Sequence, residues 1–140
     1  MKQDSAYHIL RVGMGMTFLW IGVLIFRDPT YWGGFLQPWA AGLLPIPLKE
    51  AMIGTAVLDA FIGIFLLIDS WVWIAALLGT IHLVIVLATS GIDVVTVRDI
   101  GLLTGCFALF WSALPASIKN VLKKKARTEA PHEDSQQSTP

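Results

Sequence analysis

Residues 53–68 read IGTAVLDAFIGIFLLI, an apolar helix-length run interrupted near its middle by one carboxylate, Asp59. Hydrocarbon tolerates a carboxylate at a helix centre poorly, at about 2.5–3.5 kcal/mol. Between Ala51 and Ile68, ten Ile, Leu, Val or Phe residues return about 0.3–0.6 kcal/mol each. The run can therefore insert into a bilayer, and Asp59 should face protein or water rather than lipid. The other segments are read as what surrounds that side chain.

The 140 residues suit a single domain. They are 55% hydrophobic and 14% charged, with a mean hydropathy of +0.66. Soluble domains carry about 25% charged residues, so the composition points to membrane. Formal net charge is zero, yet the lysines gather near the carboxy terminus. That distribution argues against a nucleic-acid partner, which needs a basic folded face. The single cysteine, Cys106, excludes an internal disulfide and any C-x-x-C pair. It reads as a small apolar residue.

Ile9–Phe26 is apolar apart from Arg11 and long enough to span. It ends Ile25-Phe26-Arg27-Asp28-Pro29, without a small-x-small cleavage site, so a retained span is expected rather than a signal peptide. Residues 27–48 are broken by Pro29, Pro38, Pro45 and Pro47. Each proline removes a backbone donor that lipid cannot replace. An interfacial or shallow re-entrant loop is expected there, with one short helix around Phe35–Leu43. Tyr31, Trp32, Phe35 and Trp39 suit the headgroup level.

The second span runs over Leu48–Ile68, a tight turn at Asp69 and Ser70 follows, and a third span reaches about Thr89. After the loop SGIDVVTV (90–97), Arg98 and Asp99 open a fourth span, with Asp99 as its amino-terminal cap, running to about Leu114. The fold class expected is all-α, an integral membrane antiparallel four-helix bundle over residues 1–118. Residues 119–140 are expected to be a basic, then polar, disordered tail. Lys2, Arg11, Lys119, Lys123, Lys124, Lys125 and Arg127 stand on one side, against Arg27, Lys49 and Arg98 on the other. That asymmetry predicts a multi-pass cell-membrane protein with both termini cytoplasmic. The KKKAR run reads as a topology signal that also meets anionic lipid, at about 1 kcal/mol per basic residue.

Each predicted span carries a stripe of small or polar residues at helical spacing. These are Arg11, Gly15, Phe18 and Gly22; then Thr55 or Ala56, Asp59 and Gly63; then Ala75, Gly79, His82 and Thr89; then Gly101, Gly105, Ala108 and Ser112. Small residues let membrane helices approach closely, and Gly101-x-x-x-Gly105 is the sharpest instance. Counted along their helices, Asp59 and His82 fall within roughly 3 Å of the same depth, so a hydrogen-bonded pair is expected. Thr55 lies one turn away. Two readings of this buried polar centre stand: a staple that fixes helix register, and a proton-handling or ligand-binding centre.

Arg27, Asp28, Glu50, Arg98 and Asp99 all fall at the opposite ends of the helices from the termini. They form either ordinary interfacial caps or a charged cluster, with Arg98 between Glu50 and Asp28 as one arrangement. Arg11 reads as a snorkelling side chain near a boundary. His8, His82 and His132 are too scattered for a metal site. No nucleophile triad or nucleotide loop is visible, so no catalytic residue is assigned.

The chain resembles the DoxX-like family of small four-helix membrane proteins over about residues 8–115. The resemblance rests on Arg11-x-x-x-Gly15 with Phe18 and Gly22, on Gly54, Asp59 and Gly63, and on Arg98-Asp99-Ile100-Gly101-Leu102-Leu103. It departs in carrying Asp59 where many relatives carry glutamate, and in lacking cysteines for thiol exchange. The family takes its name from a subunit of a thiosulfate:quinone oxidoreductase. The resemblance thus implies an accessory membrane subunit in quinone-linked redox chemistry, with a quinone as ligand and a redox protein or a second copy as partner. A membrane chaperone or scaffold, and a small transporter or proton conduit, are the alternative functions.

Overall fold

The computed structural model describes residues 2–129. Its regular elements are all helices: α1 (Lys2–Arg27), α2 (Pro29–Gly33), α3 (Pro38–Gly42), α4 (Leu48–Leu67), α5 (Val72–Ser90), α6 (Val97–Ala113) and α7 (Ala116–Glu129). Three of them, α1 from Ser5, α4 and α5, are long and apolar enough to cross a membrane. The pair α6–α7, bent by 97°, makes a fourth if it counts as one broken span. Outward faces carry large apolar side chains, including Met16, Trp20, Phe26, Val57, Ile81 and Phe107. Such a surface suits lipid as the surrounding solvent.

Packing is closest between α1 and α4 and between α5 and α6, with thinner α4–α5 and α1–α6 seams. Glycine decides the first of these. A methyl group on Gly63 would lie 2.6 Å from the Leu19 nitrogen, and one on Gly22 would lie 2.8 Å from the Ala56 carbonyl oxygen. Only a hydrogen fits where backbone meets backbone. Phe18, Ile62, Leu66, Cys106 and Leu109 fill the interior around this crossing.

Several boundaries differ from the sequence expectation. α1 starts at Lys2 rather than Ile9, because KQDSAYH contains no helix breaker. The short helix expected around Phe35–Leu43 is α3, and a second one, α2, precedes it where only loop was expected. Pro29 opens α2 and Pro38 opens α3, at positions where a missing N–H costs nothing. Asp28 caps α2, its Oδ1 accepting from the Tyr31 N–H at 3.0 Å. The reversal between α4 and α5 puts Asp69 (φ 58) and Trp71 (φ 49) in the left-handed region. Thr96, not Asp99, occupies the amino-terminal cap of α6. The expected disorder from Lys119 is replaced as far as Glu129 by α7, whose lysine, alanine and leucine content favours helix. The rest of the expected tail, residues 130–140, lies outside the described residues.

Candidate functional site

Asp59 stands mid-way along α4 and His82 mid-way along α5, and the α4–α5 reversal brings them to one level. His82 Nε2 lies 3.2 Å from Asp59 Oδ1. The imidazole N–H is not aligned on that oxygen, which is buried without a hydrogen-bond partner. Asp59 as a whole is only 2% exposed. A buried carboxylate so poorly satisfied is costly, and such sites call for an explanation.

A cavity of about 250 Å³ adjoins the pair. Asp59 and His82 lie on its wall, as does Thr55. Phe18, Ile25 and Leu83 give it apolar sides, and Trp32, Phe35 and Leu36 come from the segment between α1 and α4. Thr96, Arg98 and Asp99 complete it from the start of α6. Asp99 is 7% exposed, and Arg98 Nε lies 3.6 Å from its Oδ1. The segment between α1 and α4 is fastened across α5. Gln37 donates from its backbone N–H to the Thr89 carbonyl at 2.9 Å, and from Nε2 to the Ser90 carbonyl at 3.0 Å. The Arg98 guanidinium lies 5.8 Å from the Trp32 ring centre, within cation–π range.

The loop between α5 and α6 holds Thr96 and the start of α6 in place. Asp93 Oδ1 accepts from the Val95 and Thr96 N–H groups at 2.7 and 2.8 Å. The Thr96 hydroxyl donates to the Gly91 carbonyl at 2.6 Å. The backbone N–H groups of Thr96 and Val95 favour the charged carboxylate, so the Asp93 carboxyl titrates below the ordinary aspartate range.

A second depression, about 450 Å³, is lined by Met16, Thr17, Trp20 and Leu24 of α1 and by Arg98 and Leu102 of α6. It shares Ile21, Arg98 and Leu102 with the inner cavity. The two spaces are therefore neighbours across one layer of side chains at the thin α1–α6 seam.

The charged groups at the far ends of the helices do not gather as one cluster. Asp28 is used as a cap, Arg27 and Glu50 are exposed at helix ends, and Arg98 pairs with its neighbour Asp99. Gly15, Gly22 and Gly63 lie at the α1–α4 contact, and Gly79 faces Cys106 and Phe18. Gly105 meets the Met14 side chain. Gly101 is exposed, and a methyl group there would meet nothing within 4 Å, so the Gly101-x-x-x-Gly105 motif makes no close helix crossing inside the chain.

Two residues play parts that the sequence reading did not give them. Arg11 does not snorkel to water. It is 7% exposed, donates from Nη1 to the carbonyls of Leu66 and Leu67, and places Nε 3.3 Å from Asp69 Oδ1. It thereby satisfies the carbonyl end of α4, where cations are favoured. Asp99 points inward, and its phase with the half-buried Leu102 and the buried Cys106 and Leu109 was the available signal. Neither a protein-family model, a curated protein nor a solved structure matches this chain.

Proposed function

We propose that this protein is a multi-pass cell-membrane subunit of the DoxX-like kind, holding a lipid-soluble quinone-class molecule inside an antiparallel four-helix bundle. On this reading α6 is the fourth span, both termini are cytoplasmic, and a separate redox protein exchanges electrons with the bound ring. The observation that carries the proposal is the cavity beside an unsatisfied Asp59. A cavity of 150 Å³ is known to take benzene, so about 250 Å³ suits one substituted ring. It is too small for an isoprenoid tail as well. The outer depression lies just across the layer of Ile21, Arg98 and Leu102, and on this reading the tail passes that layer to reach lipid when those side chains part. Asp59 and His82 then sit at the ring's polar edge, where a proton can be exchanged.

The experiment is to purify the full chain from membranes in mild detergent and extract bound quinone. About one quinone per chain is expected for the wild type, and a marked loss for Thr55→Phe, which fills the cavity. Thermal unfolding confirms that the variant is folded. A scaffold whose Asp59–His82 pair only fixes helix register is favoured by the 3.2 Å separation of the two side chains. It predicts no bound quinone in either protein.

A further inference from the structure

The polar groups around the cavity are unevenly matched. Three hydroxyls on its wall have given their protons to backbone carbonyls: Thr55 to Ala51 at 3.2 Å, Thr89 to Ile85 at 2.8 Å and Thr96 to Gly91 at 2.6 Å. Two carboxylates, Asp59 and Asp99, also line it. Asp99 has the Arg98 guanidinium at 3.6 Å. Asp59 Oδ1 has only the misaligned imidazole of His82. His82, Ser90, Trp32 and Arg98 bring N–H or O–H groups to the same lining, so donors are not scarce there; the group left without one is Asp59 Oδ1.

A quinone ring presents carbonyl oxygens, which accept only. Placed against Asp59 it would set lone pairs against lone pairs and leave the carboxylate unsatisfied. The reduced ring carries hydroxyl groups, each of which donates. We propose that the cavity selects the hydroxyl-bearing, reduced form of its ring ligand, with one ring O–H donated to the Asp59 carboxylate. This rests on the ligand class proposed above and adds its redox state. Removing the donor from a hydrogen bond to a charged group strands that group, and a preference of about tenfold or more for the reduced ring follows.

The test uses the full chain in detergent under anaerobic conditions, with decylubiquinol and decylubiquinone titrated separately by calorimetry. The wild type is expected to bind the quinol at least about tenfold more tightly. Asp59→Asn keeps the shape but adds an N–H donor, so the ratio should fall to near one or invert, through tighter quinone binding. Equal binding of the two forms by the wild type, or tighter binding of the quinone, overturns the proposal without any variant. An unchanged ratio in a folded Asp59→Asn protein does the same. If neither form binds, the ligand class itself fails, an outcome distinct from loss of redox selectivity.

Discussion

Replacing Gly63 by alanine tests the helix crossing on which the cavity is built. The added methyl group would stand 2.6 Å from the Leu19 nitrogen and 2.8 Å from the Gly15 carbonyl oxygen. Ordinary contact begins at 3.4 Å, so α1 has to retreat by about 0.8 Å to admit it. Both obstacles are backbone, and no rotamer change relieves them. A gap of 0.5–1 Å forfeits roughly a quarter to a half of each atom pair's attraction along the seam. Overpacking of this kind costs about 1–3 kcal/mol, from which alanine's better helix propensity returns at most about 1 kcal/mol. A net loss of up to about 2 kcal/mol against the wild type is expected, and about 1–3 kcal/mol against a Gly→Ala change that meets no obstacle, since both share the propensity gain. The assay is unfolding in mixed micelles, titrated with denaturing detergent and followed by tryptophan fluorescence. Gly54→Ala is the control, since a methyl group there meets nothing within 4 Å. It should be neutral or slightly stabilising. If Gly63→Ala is as stable as Gly54→Ala, the close crossing of α1 and α4 is refuted.

Arg11→Met should cost about 1.5–3 kcal/mol in the same assay, the range for hydrogen bonds to a charged group. Arg11→Lys should recover less than half of it, because a compact ammonium cannot reach two carbonyls and Asp69 together; full recovery would show that charge alone matters. Asp93 sets a pH dependence on the loop between α5 and α6. Its folded pKa is depressed by the Thr96 and Val95 N–H groups, so its stabilisation is present above the unfolded value near 4. That stabilisation is lost as pH falls through the lower folded value. Hydrogen exchange at Val95 and Thr96 should be slower than in Asp93→Ala at about pH 6, and the difference should vanish well below about pH 4. A difference that persists in acid contradicts the assignment.

The helical course of the chain was legible because apolar runs of spanning length leave few alternatives, and the breaks at Pro29 and Asp69–Ser70 are strong punctuation. The nearness of Asp59 and His82 was legible as well, since counting residues from a shared turn fixes depth along two adjoining helices. Arg11 was not, because besides its contact with Asp69 it is held by the carbonyl groups of Leu66 and Leu67, and backbone acceptors leave no trace in a side-chain pattern. Gly101 misled for a related reason: small-x-x-x-small spacing records where a helix permits close approach, not whether a neighbour arrives. The cavity was beyond the sequence too. It depends on how the short helices α2 and α3 fold back to fasten Gln37 to Thr89 and Ser90, which no local pattern specifies.

The most direct test is nitrogen-15 magnetic resonance of the histidines in the full chain reconstituted in lipid, with and without saturating decylubiquinol. The chain has three histidines, His8, His82 and His132; of the two among the described residues, His8 and His82, only His82 lies on the cavity wall. A shift of the His82 ring nitrogens, with His8 and His132 unmoved and the shift lost in Thr55→Phe, is the predicted result. Unchanged His82 signals at saturation, or equal changes at all three rings, would contradict ligand binding beside Asp59.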